Sequence, residues 1–133
     1  MKKSLIVFCA LALLSGCAGK EQTDLKSVLT AKLKEDSDLK DYKIEAEDVA
    51  ECVVGEISTD LPGFPGDPRR EQFYQAYARF ASVRSPDDAE KSINEYKDLF
   101  GSVKQAREAA LNITNHIMTC MGKAIERSSG ERQ

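Results

Sequence analysis

The strongest constraint on the fold is the spacing of apolar residues in the last third of the sequence. Seven small or apolar side chains follow one another at intervals of 3, 4, 3, 4, 3 and 4: Val103, Ala106, Ala110, Ile113, Ile117, Cys120 and Ala124. This is the a/d spacing of a helix that packs lengthwise against partner helices. Three of the seven are alanines, so neighbouring helices can approach closely. The pattern predicts a long C-terminal helix inside a helical bundle.

Four earlier segments predict the helices that would surround it. Their inward residues are Leu25, Val28, Leu29 and Leu33; Val49, Cys52, Val53 and Ile57; Phe73, Ala76, Tyr77 and Phe80; and Ala89, Ile93, Tyr96 and Phe100. All recur at helical spacing. Asp36–Asp38 is interpreted as a break, and the Pro- and Gly-rich residues 60–67 (DLPGFPGD) as a loop. The sequence therefore predicts an all-α fold, a small antiparallel bundle of four or five helices.

Helix-end signals support these boundaries. Thr23 is a candidate cap for the first helix. Asp67-Pro68 and Ser85-Pro86 each place a capping residue before a proline at the first helical position. Gly101 is suited to end the fourth helix and Ser102 to cap the last.

The N-terminus has the organisation of an export signal. A cationic start, Met1-Lys2-Lys3, precedes ten residues without a polar side chain, Leu5–Leu14. That run is too short to cross a bilayer, which takes about 20 apolar residues, but it suits a signal peptide. Leu14-Ser15-Gly16-Cys17 follows, and it resembles the lipobox of bacterial lipoproteins. The alternative is an ordinary secretory signal with an unrelated cysteine near the cut.

The resemblance implies that a diacylglycerol is attached to Cys17 through a thioether and that the signal, residues 1–16, is cut off. The acyl chains would then anchor the protein to the membrane, since each buried CH₂ contributes about 0.8 kcal/mol to membrane binding. Residue two of the mature chain is Ala18; in Gram-negative members an Asp there tends to retain the protein at the inner membrane. We therefore expect a cell-envelope protein at the outer membrane, facing the periplasm. Residues 17–23 would form a lipidated tether, 24–125 the helical domain and 126–133 a flexible tail.

Charge argues against a nucleic-acid partner. The formal net charge is −3, and loss of a signal that carries Lys2 and Lys3 takes it to −5. The sequence contains no basic cluster with interleaved aromatic residues, which nucleic-acid binding would favour.

Cysteine use fits an exported protein. Cys9 would leave with the signal and Cys17 would carry lipid, so Cys52 and Cys120 remain as a pair in an oxidising compartment. We expect a disulfide between them, which would staple the bundle; two buried free thiols are the alternative. With His116 they offer three soft ligands without a paired spacing, so we expect no metal site.

The sequence shows no constellation that indicates an enzyme. No serine lies in a Gly-x-Ser-x-Gly turn, and no carboxylate is evidently paired with the single histidine, His116. Glu47-Asp48 and Asp87-Asp88 are adjacent acids at helix starts, where the helix dipole favours them. We expect neither catalysis nor a cofactor.

Two features suggest binding instead. Tyr74 and Tyr77 belong to an apolar stripe that spans about half of the third helix, so it either fills the core or leaves a groove open. Phe64 lies at the crown of the Pro/Gly loop, where it either inserts into a partner or folds back over the bundle.

Three functions fit these features. The first is a lipid-anchored helical assembly factor that holds a partner protein in the cell envelope, similar at the level of fold to secretion-system pilotins, which are small acylated helical proteins, some with a disulfide. An amphipathic helix of the partner would enter a groove. The second is a periplasmic inhibitor or immunity lipoprotein that acts through an exposed loop such as Phe64. The third is a minor envelope enzyme. An open apolar groove favours the first, a protruding aromatic loop the second, and an accessible His116 with a carboxylate partner the third.

Overall fold

The computed structural model describes residues 19–130, and over this range the chain forms six α-helices and no strand. The helices are α1 (Lys20–Leu33), α2 (Ser37–Asp41), α3 (Ala46–Asp60), α4 (Pro68–Ala81), α5 (Pro86–Phe100) and α6 (Val103–Gly130). Five of them span 14 residues or more, and α2 has only five. The all-α prediction is confirmed. The predicted signal peptide and Cys17 lie outside the described residues.

Side-chain caps begin three of these helices as the sequence predicted. The Asp67 carboxylate accepts a hydrogen bond from the backbone N–H of Arg69, and the Ser85 hydroxyl accepts one from Asp88 N–H. Ser102 accepts one from Gln105 N–H at 3.1 Å. Gly101 ends α5 in the left-handed region, with φ of 95°, a conformation that costs a residue with a Cβ more than it costs glycine.

Three helix boundaries differ from the prediction. The helix α1 starts at Lys20, because Thr23 is inside it: the Thr23 hydroxyl donates back to the carbonyl of Gly19 and does not cap. Asp36 caps the short helix α2 through hydrogen bonds from Asp38 N–H and Leu39 N–H, so the predicted break is a helix start. The helix α6 continues through the first residues of the predicted tail to Gly130.

Interhelical hydrogen bonds define the directions of the helices. Gln22 contacts Ser58 and Lys26 contacts Glu51, so α1 and α3 run antiparallel. The helices α5 and α6 form an antiparallel hairpin about Gly101, and α6 also packs against α3. The start of α1 lies beside the start of α4, and Lys32 near the end of α1 donates to the carbonyl of Ala81 at the end of α4. The helices α1 and α4 are therefore parallel.

The core lies between α1, α3 and α4 and extends along α6. Fully buried side chains include Leu25, Leu29, Val49, Val53, Ile57, Ala76, Ala106 and Cys120. An aromatic cluster joins α4 to α5 through edge-to-face contacts, with ring centroids 5.2 Å apart for Phe73–Phe100 and 5.9 Å for Phe80–Tyr96. The aromatic stripe of α4 therefore fills the core between its neighbours. Such pairs stabilise by about 0.5–1.5 kcal/mol beyond the area that they bury.

Cys52 of α3 and Cys120 of α6 form a disulfide, with 5.8 Å between their Cα atoms. The predicted staple is confirmed. Because 68 positions separate the two cysteines, the bond ties the first half of the bundle to its last helix.

None of the helices in the range 19–130 combines the length and the apolarity that crossing a membrane requires.

Candidate functional site

A groove opens where the end of α3 meets α4, α5 and α6. Its volume is about 410 Å³, and it is lined by Asp60, Leu61, Pro62, Phe73, Tyr77, Leu99, Phe100, Gln105, Glu108, Ala109, Asn112 and His116. We call it the α4–α6 groove. Its floor is aromatic, because the ring of Phe100 packs edge-to-face on Phe73 and on Tyr77 at 5.2 and 5.8 Å. Rings fixed by one another in this way give a floor that needs little reordering when a ligand binds.

The rim of the α4–α6 groove is polar and acidic. Asp60 and Glu108 expose 66% and 59% of their side chains. The Nε2 atom of His116 lies 3.6 Å from Oδ2 of Asp60, close enough for an ion pair when the imidazole is protonated. The prediction that His116 has no carboxylate partner is wrong, because the antiparallel crossing of α3 and α6 brings together residues far apart in the sequence.

Tyr77 forms part of the floor of this groove. Its side chain is 7% exposed, and burial, with a smaller effect from the negative charge of Asp60, raises the pKa of its hydroxyl. The hydroxyl is therefore protonated at neutral pH. Tyr77 is a core residue with one edge in the groove.

The other two candidate binding residues lie elsewhere. Tyr74 is buried, its hydroxyl is 2.6 Å from that of Ser58, and it lines a separate cleft that also includes Gly19, Pro65 and Arg70. Phe64 is 68% exposed at the crown of the loop 61–67, so it does not fold back over the bundle. The structure does not bring Phe64, Tyr74 and Tyr77 into one site, and their role in binding stays a prediction.

The chemistry of the α4–α6 groove suits binding. Its lining contains no serine, threonine or cysteine, the residues that most often act as nucleophiles beside a histidine. No cluster of three or more His, Cys, Asp or Glu side chains able to hold a metal occurs between residues 19 and 130. An apolar group on the aromatic floor, with a cation against Asp60 or Glu108, would satisfy both parts of the groove.

A second concavity lies further along the α3–α6 pair, beside the first half of α3 and the end of α6. It is larger, about 800 Å³, and is lined by Asp48, Glu51, Cys52, Lys123, Glu126 and Arg127. We call it the disulfide cleft. Its lining mixes three acids with two cations and includes no aromatic ring.

Of the residues that line the groove, the sequence predicted only Tyr77 as a binding residue; it predicted Phe73 and Phe100 as core residues and no site at His116. It also predicted no site role for Leu99, Gln105, Glu108 and Ala109, which lie beside the predicted inward positions of α5 and α6, not on them. Helical periodicity marks the centre of an apolar face. Periodicity does not indicate which side of that face stays uncovered when a neighbouring helix packs against the rest of it. A search of protein families, curated proteins and solved structures returned no match to this chain.

Proposed function

We propose that this protein is a lipid-anchored binding or assembly factor of the cell envelope, which holds a partner protein at the membrane through the α4–α6 groove. The observation that carries the proposal is the combination of an aromatic floor with an acidic rim in one groove. Apolar pockets with a few convergent polar groups are the usual form of a binding site. The anchor is acyl lipid on Cys17, and Ala18 favours the outer membrane, with the domain in the periplasm.

The charges of the rim define the partner segment. Asp60 and Glu108 are exposed acids, and the nearest cation to Glu108 is Lys104, which is 3.9 Å away and largely solvated. A segment that places an apolar side chain on Phe100 and a lysine or arginine against the rim matches the groove in shape and charge. An amphipathic helix with a basic flank has this chemistry.

A periplasmic location is consistent with the Cys52–Cys120 disulfide. Disulfides persist in the periplasm and on cell surfaces and are rare in the cytosol. The Cys52–Cys120 bond crosses the α3–α6 pair, and that pair also carries Asp60 and His116 on the rim. The disulfide therefore holds one wall of the groove in place before any partner binds.

Site-specific photo-crosslinking in intact cells tests the proposal. A photoreactive residue at Gln105, on the rim, is expected to give a discrete adduct with one envelope protein, and Asn112→Trp, which fills the groove, is expected to abolish it. The matched control is the same photoreactive residue at Glu126, on the disulfide cleft, which is expected to give no such adduct. Cys17→Ser is expected to move the protein out of the membrane fraction. An adduct at Glu126 but not at Gln105 would overturn the groove as the binding site.

A further inference from the structure

The loop between α3 and α4 presents an apolar wedge that the groove does not use. Phe64 is 68% exposed, and its exposed neighbour Pro65 adds apolar surface without a polar side chain. An isolated exposed aromatic residue needs no special explanation on most proteins. Here two further observations, on how the loop is held and where it lies, distinguish it.

The loop is held in one conformation by Arg70. The guanidinium of Arg70 donates to the carbonyl of Ser58 at 2.6 Å and to those of Leu61 and Gly63 at 3.3 Å each. The backbone N–H of Asp67 donates to the carbonyl of Phe64 at 3.0 Å, which closes the crown. Gly63 has φ of +84°, and a Cβ there would lie 2.6 Å from the Asp67 carboxylate. Phe64 is thus displayed by a preorganised turn, so little entropy remains to be lost when it inserts.

The loop lies at the end of the bundle that would face the membrane. Gly19, Pro65, Gly66 and Arg70 line the same cleft, so the start of α1 and the loop are neighbours. Cys17 is two residues before Gly19, and a residue spans at most about 3.6 Å. A lipid on Cys17 would therefore lie within about 7 Å of Gly19 along the chain, which gives the domain almost no tether.

We propose that the Phe64 loop is a second membrane contact, in which Phe64 inserts into the interfacial region of the bilayer that holds the lipid on Cys17. The inference rests on the proposed lipid anchor. Two contacts at one end would fix the orientation of the domain, with α1 and α4 pointing away from the bilayer and the rim of the α4–α6 groove near its surface.

The charges around the loop indicate which bilayers it accepts. Beside the loop, Lys20, Arg69 and Arg70 are balanced by Glu21, Asp67 and Glu71, and Arg69 is paired with Asp67 at 2.8 Å. The groove rim near the bilayer adds the acids Asp60 and Glu108, so this end of the domain gains nothing from anionic lipid. Insertion therefore depends on apolar contact and is not strengthened by anionic lipid.

Tryptophan fluorescence of the full acylated protein tests the inference. The sequence contains no tryptophan, so Phe64→Trp supplies a single probe. In vesicles of phosphatidylcholine its emission is expected to shift to shorter wavelength and to be quenched by brominated lipid, with no increase in either effect on adding phosphatidylglycerol. The matched control is Tyr42→Trp, which replaces a side chain 57% exposed at the opposite end of α1 and is expected to show neither effect.

Two separate measurements distinguish failure of the loop from failure of the anchor. The mass of the N-terminal peptide and flotation with the vesicles report on Cys17 alone. If the acylated protein floats but the Phe64→Trp probe emits like the Tyr42→Trp control, the loop contact is wrong and the anchor stands. If Cys17 carries no lipid and the protein does not float, both are wrong. A photoreactive residue at position 64 that forms a protein adduct in cells and no lipid adduct would assign the loop to a protein partner.

Discussion

The α4–α6 groove and the disulfide cleft lie at opposite ends of the same α3–α6 pair, yet they differ in what they can do. The disulfide cleft has about twice the volume, but its lining alternates acids with cations and contains no aromatic floor. The α4–α6 groove is smaller, and its apolar aromatic rings form the floor while its acidic side chains lie on the rim. A ligand gains affinity from surfaces that it can desolvate and from charges that are not already compensated. The pattern of the lining, more than the volume, therefore identifies the candidate site.

The largest expected effect comes from removing the disulfide. In the chain-entropy treatment a bond that closes 68 positions stabilises the fold by about 4 kcal/mol, less any strain, which is a large share of the stability of a small domain. Reducing agent should therefore lower the melting temperature of the wild type but not of a Cys52→Ala/Cys120→Ala double variant. Where the double variant is still folded, binding at the α4–α6 groove should weaken, because the bond no longer holds the α3–α6 wall that carries Asp60 and His116. A melting temperature that does not respond to reductant would contradict the structural role.

A pair of charge reversals on one helix compares the two surfaces directly. Glu108→Lys changes the groove rim and Glu126→Lys changes the disulfide cleft, and both positions are exposed on α6. We expect Glu108→Lys to weaken partner binding about tenfold, equivalent to about 1.4 kcal/mol, because the partner supplies the opposing cation. Glu126→Lys should leave the affinity unchanged, as measured by titration with the crosslinked partner. Equal losses from the two variants would show that overall charge, and not the groove, governs binding.

The smallest expected effect concerns the ion pair between Glu56 and Lys123, which ties α3 to α6 on the side of the cleft. The hydrogen bond and the charge of Lys123 lower the pKa of Glu56 below its usual 4.5. The pair therefore stabilises the fold above that pH, and the contribution is lost as the pH falls through the lowered folded-state pKa.

Glu56→Gln should thus slightly reduce the free energy of unfolding at neutral pH, and the difference from wild type should vanish in acid. Denaturant unfolding across a pH series measures it, and added salt should shrink the neutral-pH difference because the pair is partly exposed. A difference that does not depend on pH would assign the effect to packing of the Glu56 stem. Partner binding should not change, since the pair is outside the groove.

Much of the fold was predictable from local signals. The caps at Asp67, Ser85 and Ser102 and the left-handed Gly101 depend on residues within one turn of each other, so they can be recognised without tertiary information. Where local signals were ambiguous the prediction was wrong. The Thr23 hydroxyl could either cap a helix or, inside one, donate to the carbonyl of the preceding turn. Because α1 begins before Thr23, the hydroxyl donates to the carbonyl of Gly19.

The spacing of apolar residues was enough to predict the all-α class, the buried positions Ala106, Ile113 and Cys120 of α6 and the pairing of Cys120 with Cys52, although Ala109 is buried where Ala110 was predicted. The packing of the helices decides that the stripe of α4 is buried, that Asp60 lies beside His116 and that Phe64 projects beside the start of α1. Those outcomes depend on which helices become neighbours and in which direction they run. The spacing of residues within a single helix carries no information about either.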